Sequence, residues 1–405
     1  MKLHKNLIEA IVRTLQQIFN EGKFADKAIE KVLASDKRWG ARDRGFIAEN
    51  IYDMVRWWRL LSFISGETKI EYETKLTPEK AWNIFGIWLL ISGKELPDWK
   101  EFKKINQNDV AKLSSKADGV RKIRESIPDW LDELGEKELG PQWDIELKAM
   151  NETAPVVIRA NTLKISKNEL GKLLNDDQIE TFAINGYDDA LTLKRRANLF
   201  TTPYFKQGFF EVQDGASQKV ATFLQVEPGM RVIDACAGAG GKTLHLAALL
   251  KNKGRVISLD TEQWKLDELK KRARRAGAQN IEAKQIEGTK TIKRLHESAD
   301  RLLLDVPCSG LGVLKRNPDA KWKLDITFID RVKNIQREIL SSYPSMLKKG
   351  GKLVYATCSL LPSEGEEQVQ HFLNENKNFT LEEELRISPA KSGFDGFYMA
   401  LLKKN

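Results

Sequence analysis

The sequence predicts an α/β protein whose C-terminal half folds as a doubly wound mixed sheet, preceded by a small α+β module and an all-helical region. Three observations support this fold class. From residue 213 onward, short β-branched segments alternate with helical patterns, as expected for a sheet with crossover helices. The first of these segments runs into a turn of glycine and small residues and then into strong helix formers. The N-terminal third instead shows helical periodicity without a strand pattern.

The first two regions are predicted element by element from periodicity and capping residues. The helices of the N-terminal region are expected over 7–19, 24–33, 41–61 and 82–91, followed by a polar linker over 114–128. The middle module is expected to contain a strand over 156–161 and a helix over 167–174 that begins after Ser166 as N-cap. We therefore predict three domains, which span residues 1–125, 126–212 and 213–405.

The predicted strands of the C-terminal domain end at or next to residues with carboxylate or thiol side chains. We predict strands over 231–234, 255–260, 281–285, 302–306, 352–357 and 397–402. Ligands of open α/β sheets bind outside the carboxyl ends of the strands. The side chains at or just beyond those ends, which we expect to converge, are Asp234, Asp260, Glu287, Asp305 and Cys358.

Composition narrows the class of protein and its partners. The chain has 405 residues and a net charge of +9, which suits a polyanionic partner such as RNA. Three cysteines without a C-x-x-C pair and four histidines argue against a metal site and against a disulfide framework. The sequence begins without an apolar signal core, and its longest apolar run is too short to span a bilayer. We expect a cytoplasmic monomer that does not contact membranes.

Three ligand classes compete for the glycine turn. A P-loop requires glycine where this chain has Cys236, so the phosphate-cradle pattern fails at one position. The turn also fits the G-x-G-x-x-G spacing of dinucleotide sites poorly. S-adenosylmethionine remains, with its amino and carboxylate groups on the turn and its ribose hydroxyls on Asp260 at the end of the next strand.

Two cysteines point to the chemistry. Cys308 and Cys358 each follow a strand, and each is followed by serine. A thiolate that adds to carbon 6 of cytosine makes carbon 5 nucleophilic enough to accept a methyl group. Asp305 is placed to contact the far side of the base as an acid, and Lys242 is a cation that would favour the thiolate.

These motifs resemble those of the RsmB/Sun (NSUN) family of RNA 5-methylcytosine methyltransferases. The matching segments, in order, are 213–217, 234–243, 305–310, 357–359 and 395–397. The resemblance implies a Rossmann-like class I methyltransferase domain. It also implies that Cys358 is the nucleophile and that Cys308 assists product release. The donor-binding positions it implies are Cys236, Ala237, Gly238, Ala239, Gly240, Gly241, Lys242, Asp260, Glu287 and Asp305.

The chain departs from the family pattern at three places. Gly238-Ala239 replaces the usual Ala-Pro, and Glu287 replaces the usual aspartate after the third strand. Glu364-Gly365-Glu366 replaces Glu-Asn-Glu after the nucleophile motif. None of these changes affects the two cysteines, although the contact of Glu287 with the adenosine is less secure.

In the N-terminal region, Ala41-Arg42-Asp43-Arg44 is followed by Tyr52 and by Val55-Arg56-Trp57. With these residues the region resembles the NusB-like RNA-binding domain of bacterial members that act on small-subunit rRNA. The RNA contacts that we consider are Arg159 and Asn161, which match an Arg-x-Asn of the family, and Lys315 with Arg316 after the first cysteine motif. A structural role for Arg159 and Asn161, and ordinary surface charge for Lys315 and Arg316, are the alternatives. The resemblance implies S-adenosylmethionine as cofactor and rRNA as substrate. A tRNA methyltransferase and a non-catalytic assembly factor remain the other interpretations.

Overall fold

The structure, a computed structural model, describes residues 3–66 and 75–405. The chain divides into two compact units, one built from Met1–Glu152 and Leu314–Ile326 and the other from Thr153–Val313 and Thr327–Asn405. Among the described residues, no helix combines the length and the apolar character that a membrane span requires.

The first unit is helical. Its helices bury apolar faces around one core that includes Ile8, Ile51 and Phe85. Each such side chain contributes about 1.5–3 kcal/mol when it is removed from water. The helices are α1 (Lys5–Asn20), α2 (Ala25–Ser35), α3 (Ala41–Arg56), α4 (Trp58–Ile64), α5 (Pro78–Ile91), α6 (Gln107–Asp118), α7 (Arg121–Arg124), α8 (Asp129–Leu139) and α9 (Gln142–Met150).

A distant stretch of the chain completes this helical unit. Trp322, from the segment Leu314–Ile326, belongs to the same core and donates its indole N–H to the Val55 carbonyl at 2.6 Å. The Asp319 carboxylate accepts the Ala25 N–H at 2.9 Å. The segment is therefore fixed to the helices both by apolar burial and by hydrogen bonds.

The second unit begins with a small antiparallel sheet in the order β2-β3-β1-β4. Ser166 accepts the Glu169 N–H, and the Glu169 side chain returns a bond to Ser166, so a capping box starts the helix there. The elements of this module are β1 (Val157–Ala160), α10 (Lys167–Asp176), β2 (Thr181–Ala183), β3 (Ala190–Leu193), α11 (Pro203–Lys206) and β4 (Phe210–Val212).

The remaining described residues of this unit form a seven-stranded sheet in the order β10-β11-β9-β8-β5-β6-β7. The strands from β9 to β7 are parallel, and β11 and β10 are antiparallel additions at one edge. This is the mixed, doubly wound sheet that the resemblance to class I methyltransferases implies. Its elements are α12 (Gly215–Phe223), β5 (Arg231–Asp234), α13 (Gly241–Leu249), β6 (Arg255–Asp260), α14 (Gln263–Ala276), β7 (Ile281–Gln285), α15 (Thr289–Lys293), β8 (Ala299–Asp305), α16 (Ala320–Lys323, in the helical unit), α17 (Ile326–Ser342), β9 (Leu347–Thr357), α18 (Glu366–Glu375), β10 (Phe379–Ile387), α19 (Pro389–Ser392) and β11 (Phe397–Lys404).

Two expectations about local structure are corrected, and one strand of the large sheet was not predicted. The stretch 114–128 is not a linker, because α6 extends to Asp118 and α7 follows. The helix expected over 41–61 breaks at Trp57, and α4 starts there as a separate helix. The strand β10 was not predicted, because it lies at the sheet edge with most of its side chains exposed, and its acidic run lacks the apolar alternation of a strand.

Candidate active site

The glycine turn joins β5 to α13. Gly238 has φ +53° and Gly240 has φ +88°, values in the left-handed region that glycine adopts without strain. A Cβ on Gly240 would lie 2.6 Å from Leu269 Cγ, so that position also lacks room for a side chain. A Cβ on Gly238 or Gly241 would meet nothing within 4 Å. The turn is thus closed toward α14 and open on the side where backbone N–H groups at the start of α13 can meet a ligand.

Two buried carboxylates flank this turn. Asp260, at the end of β6, accepts the Gly238 N–H through Oδ2 at 2.9 Å. Asp234, at the end of β5, accepts the Thr243 hydroxyl through Oδ2 at 2.7 Å. Its other oxygen, Oδ1, is buried without a hydrogen-bond partner among the described residues. Burial raises the pKa of Asp234 to about 7. Asp234 therefore has an unused acceptor beside the turn.

Two arginines donate hydrogen bonds to carbonyl groups of the turn. Arg159 on β1 donates to the Gly241 carbonyl at 3.0 Å and also to the Gln213 side chain. Arg272 on α14 donates to the Ala239 carbonyl at 2.8 Å and to Glu211 at 2.9 Å. Burial lowers the pKa of Arg159 to about 10, so it stays charged at neutral pH. The small sheet thereby contributes directly to the shape of the glycine turn.

The two cysteines at the strand ends meet. Cys308 Sγ and Cys358 Sγ are 3.3 Å apart, and both thiols are free and half-buried. The Gly312 N–H donates to the Cys358 carbonyl at 2.9 Å, and a Cβ on Gly312 would lie 2.8 Å from that oxygen. The hydrogen bond with Cys358 and burial raise the pKa of Cys308 well above its ordinary value. The Cys308 thiol therefore carries its proton at neutral pH.

An ion pair links the glycine turn to the cysteines. Lys242 Nζ lies 2.6 Å from Asp305 Oδ2, and the ammonium stands 5.2 Å from the Phe397 ring centroid. Burial acts to lower the pKa of Lys242, but the charge and hydrogen bond of Asp305 outweigh it, and the net pKa is raised. The negative charge of a Cys358 thiolate contributes in the same direction. Lys242 is thus a permanent cation within the electrostatic reach of that sulfur.

Other residues singled out from the sequence lie in different settings. Cys236 is in the turn, where burial raises the pKa of its thiol well above the usual value. Glu287 is exposed two residues beyond β7, and its expected adenosine contact stays a prediction. Lys315 is buried in the helical unit with its ammonium 3.6 Å from Glu152, and the adjacent Arg316 is half-buried.

Arg159 and Asn161 are buried as well. Arg159 is 2% exposed and Asn161 is 5% exposed. Asn161 donates to the Gly208 carbonyl at 2.8 Å and to the Ala276 carbonyl at 2.7 Å. The structural alternative considered for this pair accounts for these bonds, and an RNA contact, which stays a prediction, would require the side chains to become exposed.

Several residues that shape the site were not predicted from the sequence. Arg272 lies in a run of basic residues on α14, and its guanidinium donates to the Ala239 carbonyl of the turn. The serines of the two Cys-Ser pairs and Glu364 form a buried hydrogen-bonded cluster beneath the thiols. Identical Cys-Ser pairs after two strands were the only signal for this cluster in the sequence.

Two family models match the chain. The model described as 16S rRNA methyltransferase RsmB/F matches residues 221–403. A model for the ferredoxin-like domain of RsmF/B-like methyltransferases matches residues 127–199. The matched regions contain the glycine turn, both cysteines and much of the small sheet.

Relatives and a solved structure agree with these matches. The probable ribosomal RNA small subunit methyltransferase B of Synechocystis is 35% identical over 298 residues, which cover 69% of this chain and 67% of the relative. The ribosomal RNA small subunit methyltransferase B of Vibrio cholerae is 33% identical, covering 74% of this chain and 70% of the relative. The crystal structure of PH0851 is similar with a TM-score of 0.84 and 25% identity, covering 100% of both chains.

Proposed function

Because this chain belongs to the RsmB/F family of 16S rRNA methyltransferases, we propose that it methylates carbon 5 of a cytosine in small-subunit rRNA through a covalent enzyme–base intermediate. The observation that carries this proposal is the pair of free thiols 3.3 Å apart, with Lys242 from the helix that follows the glycine turn paired to Asp305, three residues before Cys308. A methyl transfer to a nitrogen or oxygen atom would need no such pair.

The cofactor is S-adenosylmethionine, which supplies an electrophilic methyl group on a positively charged sulfur. The residues of the turn fit this molecule. Gly238 and Gly241 leave the backbone open, and Asp260 stands at the strand end where ribose hydroxyls are bound in such folds. The unpartnered Oδ1 of Asp234 is an acceptor suited to an ammonium group.

The protein's own groups account for activation of the base. The Cys358 thiolate forms a bond to carbon 6 of the cytosine, and the ring electrons shift so that carbon 5 can bond to the methyl group. As the thiolate adds, negative charge develops at N3 of the base, and Asp305 in its protonated form donates a proton there and neutralises it. Lys242, held 2.6 Å from Asp305, supplies positive charge near the sulfur and favours its ionised form.

Release of the product needs a second group. The proton on carbon 5 must leave, after which the bond between carbon 6 and Cys358 breaks and the thiolate is regenerated. Cys308 is the adjacent group. Once it has lost its own proton to water, its thiolate can take the carbon 5 proton, and the raised pKa of this thiol makes that thiolate a strong base. We assign product release to Cys308 and nucleophilic attack to Cys358.

The proposed substrate is an RNA with an accessible cytosine. The target base must leave its stack to expose carbon 6 to the thiolate. The excess of 66 lysine and arginine over 57 acidic residues favours contact with the phosphates. We assign RNA binding to the helical N-terminal region, which we expect to be NusB-like over residues 1–125. A tRNA substrate is the alternative, and the names of the relatives favour small-subunit rRNA.

The test is transfer of labelled methyl groups from S-adenosylmethionine to unmodified small-subunit rRNA, with unmodified tRNA in parallel. We expect 5-methylcytosine in the rRNA only. Cys358→Ala should abolish transfer and leave donor binding intact, whereas Cys308→Ala should accumulate a protein–RNA adduct visible on a denaturing gel. The double variant is the control and should form no adduct. An adduct in Cys358→Ala alone would reverse the two roles, and full activity in that variant would refute the covalent mechanism.

A further inference from the structure

A buried carboxylate lies beneath the two thiols. Glu364 is completely buried at the end of a short 3-10 turn, Pro362–Glu364, that follows the Cys358 loop. Its Oε2 accepts the Ser309 N–H at 2.8 Å, and its Oε1 accepts the Ser309 hydroxyl at 2.5 Å and the Ser359 hydroxyl at 2.6 Å. One side chain thus binds the residue that follows each cysteine.

Neighbouring groups fix this carboxylate in turn. Gln336 on α17 donates through Nε2 to Glu364 Oε2 at 3.0 Å and to the Pro307 carbonyl at 3.0 Å. The Tyr355 hydroxyl donates to the Glu364 backbone carbonyl at 2.8 Å. Both carboxylate oxygens therefore have two donors each, and hydrogen bonds to a buried charge are stronger than those between neutral groups.

The arrangement couples two loops that are distant in the sequence. Ser309 and Ser359 are 50 residues apart, and their hydroxyls are also 3.2 Å from each other. Each serine is bonded covalently to its cysteine, so the position of the carboxylate sets the position of both sulfurs. Without it, the loops would keep the bond from the Gly312 N–H to the Cys358 carbonyl but would lose the carboxylate that binds both serines.

We propose that Glu364 is a positioning residue, which holds the Cys308 and Cys358 loops together so that the two thiols meet across one substrate base. This inference rests on the proposed function, but its geometric part can be tested without RNA. Glu364 does not touch the reacting atoms. It acts through Ser309 and Ser359, so its loss should reduce the rate of the chemical step and leave substrate binding largely unchanged.

The first measurement uses disulfide formation as a probe of thiol separation. Oxidised dithiothreitol takes two electrons and two protons from the pair, so that Cys308 and Cys358 form a disulfide while the reagent becomes a dithiol. Labelling of the denatured full-length protein with a maleimide polymer then falls from three cysteines to one. We expect the wild-type protein to form this bond and Glu364→Gln to form it at least tenfold more slowly.

In Glu364→Gln, loss of the negative charge and displacement of the two loops would change the rate of disulfide formation in opposite directions. The hydrogen bond with Cys358 and burial raise the pKa of Cys308 most, and the negative charge of Glu364 raises it further. Removing that charge would favour ionisation of Cys308 and speed the reaction. Slower disulfide formation in Glu364→Gln therefore reports displacement of the loops. Glu367→Gln, which removes an exposed carboxylate three residues away, is the matched control and should react at the wild-type rate.

The second measurement is steady-state methyl transfer. A displacement of about 1 Å at reacting groups can cost about 100-fold in rate. We expect kcat of Glu364→Gln to fall about that much, with KM for RNA within about twofold of wild type and unchanged S-adenosylmethionine binding. A uniform loss of folded protein would lower donor binding in proportion to activity.

Several outcomes would overturn the inference. Wild-type disulfide formation in Glu364→Gln would show that the carboxylate does not set the thiol separation. If Glu364→Gln does not fold, Ser309→Ala and Ser359→Ala each remove one hydroxyl donor, and wild-type rates in the double variant would likewise refute the role. A wild-type protein that forms the disulfide but methylates no RNA would refute the proposed function and leave the positioning result standing.

Discussion

Replacement of Arg272 by methionine tests whether the glycine turn depends on support from α14. In the native structure the guanidinium donates to the Ala239 carbonyl at 2.8 Å and to Glu211 at 2.9 Å. Its side chain is 20% exposed and that of Glu211 is 5% exposed, so both bonds are shielded from water. Methionine preserves most of the apolar stem and removes only the charged donor group.

The expected cost follows from these two bonds. A hydrogen bond to a charged group contributes about 1.5–3 kcal/mol, and one to a neutral carbonyl about 0.5–1.5 kcal/mol. Glu211 keeps its bond with Arg275 at 2.5 Å, so its charge does not become unpaired. We therefore expect the free energy of unfolding to fall by about 2–4 kcal/mol. The carbonyl bond at the turn accounts for about 1 kcal/mol of this, which corresponds to roughly fivefold weaker donor binding.

Urea denaturation and calorimetric titration with S-adenosylmethionine measure the two effects. Arg274→Met is the matched control, because it removes the same charge from an exposed position on the same helix. Its free energy of unfolding should stay within about 0.5 kcal/mol of wild type. Equal effects of the two substitutions on stability and on donor affinity would refute the argument that Arg272 supports the turn.

Three further predictions concern the same site. The pKa of Asp234 is about 7 in the fold and about 4 in the unfolded chain, so the native state binds more protons between these values and stability falls as pH rises from 4 to 7. Asp234→Asn should remove this pH dependence, which amounts to as much as about 4 kcal/mol in the free energy of unfolding measured without the donor. Gly240→Ala should destabilise the fold by more than about 1 kcal/mol and weaken donor binding, because φ is +88° and a Cβ would lie 2.6 Å from Leu269. Lys242→Met should lower single-turnover methyl transfer at least tenfold, since Asp305 loses the ammonium at 2.6 Å; an unchanged rate would exclude a role for this cation.

The class of fold followed from periodicity, because strands and helices in this chain are patterned by burial. The central strands β9, β8, β5 and β6 and the neighbouring β11 are rich in apolar residues, since both faces of that part of the sheet are covered, and their positions were predicted to within about five residues. The edge strand β7 was also predicted, although it is only half-buried. The strand β10 was not predicted, because it is formed by backbone pairing with β11 and its exposed acidic side chains show no apolar alternation.

The candidate residues of the site were also predicted from local sequence. Each candidate feature was recognised by its residue types next to the end of a predicted strand: the glycine turn, Asp305 and the two Cys-Ser pairs. Parallel strands bring their carboxyl ends to one edge of the sheet, so these features were expected to lie close together. The structure places the two sulfurs 3.3 Å apart and pairs Lys242 with Asp305, and the roles of these residues stay predictions.

Three-dimensional packing decided what the charged and polar residues do. Arg159 and Arg272 have the same side chains as exposed arginines, but the first is buried behind the turn and the second binds a turn carbonyl. Likewise Lys315 lies in a segment whose Trp322 completes the core of the helical unit. A charged side chain is assigned by the partners that surround it, and these partners come from distant parts of the chain. Local sequence therefore determined the fold class and the candidate reactive groups, because both depend on residue type and periodicity. Only the tertiary structure determined which residues lie around those groups, because the partners come from distant parts of the chain.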